Sequence, residues 1–362
     1  MIIFTSICNN YLHKARCLAE SVKKNIPDAT FVVCLTESEK NALSDYEYFD
    51  RVILAKDAFD GSFEHFIFKH AIVEASTSVK GAFFQYLYKI YPEESKFVYL
   101  DPDIYVYSDF TELRELLDTK PIVVCPHLLK QGNVQMEISS MAHGVYNLGF
   151  LAVNASDEAK RFIDWWAARL DKYCYDDIPH GIFTDQKWID LAPCFFDVYI
   201  LKHHGYDYAT WSIMDSVVEQ TDEGYTVNGD PLRFIHFSGN GEGIEYCIRT
   251  WLPEGEHLFK TLYSKYCVLH EANDSDGVSK TKWSYSDFYS GESIENKTRI
   301  VYRENIDLFE DIPNPFEKSN TFIKFRASKQ RGPICLLRKV GDVIKQEGFS
   351  SLVQKVKRTL KR

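Results

Sequence analysis

The run Phe97-Val98-Tyr99-Leu100-Asp101-Pro102-Asp103-Ile104-Tyr105-Val106 places two carboxylates one residue apart at the mouth of an apolar stretch. On an extended chain alternate residues share a face, so Asp101 and Asp103 can both reach one hard divalent cation, Mn²⁺ or Mg²⁺, that also grips a diphosphate. An Asp-x-Asp pair alone is a weak signal, because a turn or a helix N-cap uses the same residues. Its position directly after a buried strand is what favours a ligand site. His236, inside Arg233-Phe234-Ile235-His236-Phe237-Ser238-Gly239, ends a second apolar run and offers an imidazole that a borderline metal accepts. A histidine in a strand is more often a satisfied core residue, so His236 by itself carries little weight.

Other polar residues sit at similar junctions. Asp185-Gln186 follows the loop Pro179-His180-Gly181-Ile182-Phe183-Thr184, and it either caps the next helix or faces a donor-sugar pocket. In Tyr146-Asn147-Leu148-Gly149-Phe150, Asn147 can hydrogen-bond a hydroxyl and Gly149 permits close backbone approach. Thr5, Ser6, Asn9, Asn10 and Tyr11 are expected just after the first strand, a nucleotide position, with Tyr11 able to stack on a base. The chain contains no G-x-G-x-x-G at that position and no G-x-x-x-x-G-K-[ST] anywhere, which disfavours a nicotinamide-type dinucleotide site and a P-loop.

The elements that must hold these residues alternate. Short apolar runs at Ile2-Ile3-Phe4, Ala29 to Leu35, Val52-Ile53-Leu54, Phe97 to Leu100, Ile122-Val123-Val124 and Phe150 to Val153 predict strands. Helical spacing covers Leu12 to Lys24, most of Phe66 to Tyr91 with a break near Gly81, and Asp157 to about Tyr173. A short helix is expected around Asp185 to Leu191, and strands at Phe195 to Leu201 and Leu232 to Phe237. Such alternation predicts an α/β fold with a doubly wound, mostly parallel central sheet, whose ligands collect at the carboxyl ends of the strands. Residues 260 to 317 show no clear periodicity and are expected to form an irregular or helical appendage.

Composition sets further bounds. With 45% apolar and 15% aromatic residues in 362, the chain can bury a large core. Nine cysteines form no CxxC pair, and several lie in apolar runs, a pattern that fits buried reduced thiols in a cytoplasm. No secretory leader or spanning apolar run is evident, so neither export nor a membrane span is expected. From Lys318 to Arg362 thirteen Lys/Arg stand against two acids, which leaves −21 on residues 1 to 317 of a chain whose net charge is −10. The acidic body argues against nucleic acid as its partner, while the basic tail can seek phosphate. From Ile334 to Arg362 the apolar residues fall largely on one helical face, with Arg338, Lys339, Lys345, Lys355, Lys357 and Arg358 elsewhere around it, so an anionic membrane surface is one expected partner and packing on protein is the other.

Taken in order, these motifs resemble the GT-A nucleotide-sugar glycosyltransferases, especially the group containing glycogenin and the bacterial lipopolysaccharide galactosyl- and glucosyltransferases. The resemblance rests on Ile3 to Leu18 with Asn10-Tyr11, Val79-Lys80-Gly81, Leu100-Asp101-Pro102-Asp103, Tyr146-Asn147-Leu148-Gly149, Thr184-Asp185-Gln186 and Ile235-His236-Phe237-Ser238-Gly239, and it covers about residues 1 to 245. It implies a Rossmann-like GT-A catalytic domain over 1–259, an appendage over 260–317 and a basic tail over 318–362. It further implies that Asp101, Asp103 and His236 bind Mn²⁺ or Mg²⁺ and that Thr5, Ser6, Asn10 and Tyr11 form the nucleotide end. Lys80 would contact phosphate or donor sugar, and Asn147, Asp185 and Gln186 would contact the donor sugar. The implied reaction is hexosyl transfer from a nucleotide-diphosphate donor, most simply a UDP-sugar, to a glycan or lipid-linked acceptor in cell-surface polysaccharide synthesis. The late histidine is followed by Gly239-Asn240-Gly241 where that group usually has Lys-Pro-Trp. The segment Lys202 to Trp211 looks instead like that of uncharacterised bacterial surface-polysaccharide transferases.

Two other classes fit less well. A nucleotidyltransferase that makes nucleotide-sugars also uses paired carboxylates and Mg²⁺ but needs a glycine-rich basic opening loop, which Thr5 to Tyr11 lacks. A carbohydrate-binding module could use the six Trp and twenty-two Tyr to stack on sugars, but it has no need of a metal pair.

Overall fold

A computed structural model describes residues 1–321, except 42, 43, 45, 132, 240, 253–256, 310 and 320. Two compact units emerge, one built from residues 1–63 and 70–285, the other from 64–69 and 286 onward.

The first unit is built on a seven-stranded sheet. Its strands are β1 (Ile2–Ile7), β2 (Thr30–Leu35), β3 (Arg51–Leu54) and β4 (Lys96–Leu100), then, beyond a short strand β5 (Ile104–Val106), β6 (Ile122–Pro126), β7 (Tyr146–Asn154) and β8 (Val198–Ile200). Their order is β8-β6-β7-β4-β1-β2-β3. All neighbours are parallel except β7, which runs against both β4 and β6. Every residue of β1 is buried and β7 is buried up to its last residue, the continuous burial expected of strands covered on both faces.

Helices α1 (Leu12–Asn25), α2 (Lys80–Ile90), α3 (Val134–His143) and α4 (Asp157–Tyr173) follow the chain in that order. Leu12, Ala15, Leu18, Ala19 and Val22 of α1 point into the core at helical spacing. Gly81 sits inside α2, where a Cβ would lie 2.7 Å from Ala167 Cα of α4. The glycine expected to break the helix is therefore the point at which two helices touch. The break falls earlier, and 63–90 divides into Phe63–Phe68, Ile72–Ser78 and α2. Glu74 restarts the helix by accepting a 2.7 Å hydrogen bond from the Ala71 N–H.

A small second sheet matters more for the site. Strands β9 (Tyr208–Ala209) and β10 (Phe234–His236) form it with β5, in the order β9-β10-β5. Strand β10 pairs His236 with Ile104 antiparallel and with Ala209 parallel, so residues 103, 207 and 236 come together at one edge. Phe237 N–H donates to Asp103 C=O at 2.9 Å and closes that edge.

Beyond the small sheet come α5 (Gly241–Trp251) and α6 (Leu258–Ala272). Phe259, Leu262 and Tyr266 of α6 are buried with β9 and β10 residues, so the compact unit passes the boundary expected at residue 259 and runs to Tyr285. Its last stretch is tied to the first strands by Glu37, which accepts from Asn9 N–H and Ser284 N–H at 2.8 Å each.

The second unit has its own aromatic core. Phe68, Tyr302, Phe309 and Phe316 pack together, and His65 bonds Tyr302 OH at 2.6 Å and Ile312 C=O at 2.9 Å. Helix Asn296–Glu304 contributes Tyr302 from a segment that the sequence leaves without periodicity. The amphipathic tail expected from Lys318 lies, beyond Thr321, outside the described residues.

Candidate active site

Two linked ion clusters occupy the carboxyl end of β4. Lys80, the first residue of α2, has a side chain only 2% exposed, yet its ammonium must be satisfied. Nζ lies 2.9 Å from Asp185 Oδ2, 3.4 Å from Asp101 Oδ1 and 3.0 Å from Leu148 C=O, and it sits 4.0 Å from the centre of the Tyr99 ring. Burial opposes its charge, but the two carboxylates outweigh burial and hold its pKa well above the ordinary lysine value. Tyr99 OH donates to Asp101 Oδ1 at 2.5 Å. Asp185 is placed by Thr184, whose φ of 44° turns the chain, and by Trp166 Nε1–H, which donates to Asp185 C=O at 3.1 Å.

The second cluster surrounds His236, which is buried. Nε2 is 3.1 Å from Asp103 Oδ1 and 3.7 Å from Asp101 Oδ2, and Nδ1 is 3.3 Å from Asp207 Oδ1. Burial alone would lower the imidazole pKa, but the hydrogen bonds and charges of Asp103 and Asp207 raise it to about 10. Burial, with the neighbouring Asp101 and Asp103 charges, pushes Asp207 up to about 6 although His236 opposes the shift. Three carboxylates converging on one imidazole form a locus that calls for added positive charge. Asp101, Asp103 and His236 each offer one ligand atom, all within 4.8 Å of one another, and a set of two carboxylates and one imidazole suits a Mn²⁺-like cation.

Two cavities meet at Asp101. The larger, about 630 Å³, is lined by Lys80, Asn147, Asp185, Trp211 and His236 among others, and the smaller, about 180 Å³, by Ser6, Asn10, Tyr11, Asp101 and Asp103 among others. Lys14 Nζ reaches 3.8 Å from Asp103 Oδ2 and 4.7 Å from the Tyr11 ring centre, adding a cation that the motif reading passed over. Tyr11 is 39% exposed and free to take a planar group.

Several expected residues take other positions. Thr5 and Ser6 lie within β1 rather than after it, because that strand runs to Ile7. Thr5 is fully buried and lines neither cavity, while Ser6 Oγ is spent on Ser76 C=O at 2.6 Å. Gln186 uses both ends of its amide on the backbone, accepting from Leu148 N–H at 2.9 Å and donating to His143 C=O at 3.2 Å. It borders the larger cavity as a brace between β7 and the end of α3. The short helix expected at 185–191 is a 3₁₀ turn over Lys187–Leu191. Asn147 Oδ1 accepts from Gly149 N–H at 2.9 Å, and its Nδ2 is 3.1 Å from His127 Nε2. His127, Asp207 and Trp211 were not singled out from sequence. His127 directly follows β6, so the strand-end rule could have found it, whereas Asp207 stands in a loop with no local signal.

The model of glycosyl transferase family 8 fits residues 2–241, which include every residue of both clusters. The chain belongs to glycosyl transferase family 8. That membership favours the glycosyltransferase reading over the nucleotidyltransferase and binding-module alternatives.

Among the relatives of this family 8 chain, the uncharacterized protein YfnF of Bacillus subtilis (strain 168) is 27% identical over 176 residues, 45% of this chain and 55% of that one. YfnD of the same organism is 24% identical over 223 residues, 59% of this chain and 68% of that one. This chain thus spans little more than half of the first of these relatives. Solved structures that it resembles include galactosyltransferase LgtC in complex with donor and acceptor sugar analogs, at 18% identity and a TM-score of 0.42 over 70% of this chain and 98% of that one. GlyE of Streptococcus pneumoniae TIGR4 gives 15% identity and a TM-score of 0.45 over 78% and 65%. Among the described residues, no helix is long and apolar enough to cross a membrane.

Proposed function

We propose that this glycosyltransferase moves a hexose from a UDP-sugar, with Mn²⁺ or Mg²⁺ held by Asp101, Asp103 and His236. The observation that carries the reading is the Asp101-Asp103-His236 cluster at the meeting point of two cavities, one large enough for a sugar and its acceptor and one walled by Tyr11. A divalent cation bound there would neutralise charge on the departing diphosphate. The chain's own residues do the rest. Tyr11 and Asn10 border the base end, and Lys14 adds positive charge near the phosphates. Lys80 holds Asp101 and Asp185 in fixed orientation, so that Asp185 faces the sugar. Ser6 borders the smaller cavity from within β1, and Asn147 and Gln186 shape the sugar pocket chiefly through the groups they brace.

For the acceptor we read a glycan or a lipid-linked glycan of the cell surface, handled on the cytoplasmic face of the membrane. Helix α3 supports an amphiphilic acceptor, since it lines the larger cavity through Met136, Ser139 and Ser140, buries no residue fully and leaves Val134, Ile138 and Met141 exposed. The basic sequence after Lys318 supports an anionic surface. A panel of UDP-, GDP- and CDP-sugars incubated with the enzyme and Mn²⁺ tests the donor assignment. Slow release of UDP from one UDP-sugar, without release from the other classes, is expected. Release confined to GDP- or CDP-sugars would overturn it. Sedimentation with anionic and neutral liposomes, comparing the full chain with one ending at Glu317, tests the surface: salt-sensitive binding to anionic vesicles by the full chain alone is expected.

A further inference from the structure

The segment Lys202 to Trp211 reaches the larger cavity through Trp211, and four residues earlier it places a buried carboxylate, Asp207, against the metal-cluster histidine. We propose that Asp207 is a positioning residue that holds the His236 ring with its Nδ1–H directed away from the metal locus and its Nε2 lone pair directed into it. This inference rests on the metal reading of Asp101, Asp103 and His236.

The hydrogen-bond pattern assigns the proton. Both groups facing Nδ1 are acceptors: Asp207 Oδ1 at 3.3 Å and Asn147 Oδ1 at 3.1 Å. Asn147 is not free to flip, because Gly149 N–H donates to its Oδ1 and its Nδ2 must donate to His127 Nε2. Nδ1 therefore carries hydrogen; Nε2 also faces an acceptor, Asp103 Oδ1 at 3.1 Å, and in a neutral ring with its hydrogen on Nδ1 the Nε2 lone pair would be the one offered to a cation on the Asp101 and Asp103 side. A carboxylate bonded to the far nitrogen of a ligating histidine fixes the ring and strengthens it as a donor.

The ring is also confined sterically. A Cβ on Gly149 would stand 2.2 Å from His236 Cε1, and the Trp211 ring stands at right angles to the imidazole with centres 5.6 Å apart. Asp207 itself is held at a φ of 51°, in the left-handed region, with a side chain only 1% exposed and, among the described residues, no hydrogen-bond partner for Oδ2. Burying a half-satisfied carboxylate in a strained backbone conformation is costly, and such strain gathers at functional sites. The short β9 strand sets Asp207 there, since Tyr208 pairs with Ile235, one residue before the histidine.

The test titrates Mn²⁺ into the full-length, donor-free protein by calorimetry, with thermal midpoints recorded in EDTA. Asp207→Asn keeps the size and tolerates the positive φ, and Asp207→Gly, which that φ favours, removes the carboxylate should the first variant fold poorly. Either should weaken Mn²⁺ binding about tenfold or more. In a His236→Ala background the same change should shift affinity less than about twofold, since the residue acts through the ring. Catalysis by Asp207→Asn should recover at saturating Mn²⁺. Two results would overturn the proposal while leaving the metal site standing: Mn²⁺ affinity unchanged in both Asp207 variants although Asp103→Asn abolishes binding, or an equal loss with and without His236. If Asp103→Asn also leaves Mn²⁺ binding unchanged, the metal reading itself falls and this inference falls with it.

Discussion

Two pairs of carboxylates face the same cleft by different routes. Asp101 and Asp103 stand on the turn between β4 and β5, separated by one residue and still partly exposed. Asp185 and Asp207 come from loops, are buried, and depend on left-handed backbone at Thr184 and at Asp207 itself. Both pairs face the same two cations from within, Asp101 and Asp185 on Lys80 and Asp103 and Asp207 on His236, but the side chains of the first pair keep 28% and 13% of their exposure whereas those of the second keep 3% and 1%. On the proposed reading the difference is a division of labour: the acids at the strand end would meet the ligand, and the more deeply buried loop acids would set the orientation of the cations beside it.

The sharpest way to break this contrast is Asp103→Asn, which should lower kcat/KM by about 10² to 10³-fold without unfolding the protein, because it removes charge from an open site. Near-normal turnover with Mn²⁺ would end the distinction. Lys80→Met should act on stability instead. It strands Asp185 and Asp101 without their buried cation, and denaturant unfolding should show a loss of about 3 to 5 kcal/mol. A loss below about 1 kcal/mol, as for exposed pairs, would show that Lys80 is not structural. Gly149→Ala pushes a methyl group toward His236 and the Asn147 amide, so about 1 to 3 kcal/mol of stability should go, with weakened Mn²⁺ binding alongside. Asp185→Asn sharpens the comparison further: kcat should fall more than KM rises, while a pure helix cap would cost about 1 kcal/mol of stability and no activity. The smallest effect belongs to Ile138→Ser on the exposed face of α3, where stability should stay within about 0.5 kcal/mol. Its donor kinetics should also be normal, and any change in KM should appear only for an amphiphilic acceptor.

Legibility in the sequence follows the same division. The alternation of strands and helices, the ends of α1 and α4, and the strand-borne pair were readable because local periodicity controls them. The closeness of His236 to Asp103 followed only from the family resemblance and not from local pattern, because it comes from pairing β10 with β5, some 130 residues apart by number. Glu74 restarts a helix at Ile72 where the only expected break was near Gly81, and a β1 longer by three residues drew Thr5 and Ser6 inside the sheet. Phe259, Leu262 and Tyr266 did carry helical spacing in α6, but surrounding polar residues diluted it. Asp207 stayed hidden because nothing around it distinguishes a buried carboxylate from a turn residue; only the fold brings it against an imidazole.

The central claim is that the open carboxylate pair recruits a cation which in turn holds the diphosphate. Calorimetric titration of a UDP-sugar into the wild-type enzyme and Asp103→Asn, each with Mn²⁺ and with EDTA, tests it most directly. The account predicts tight binding only for wild type with Mn²⁺ and a loss of at least about tenfold in the other three combinations. Equal donor affinity in Mn²⁺ and EDTA would contradict it.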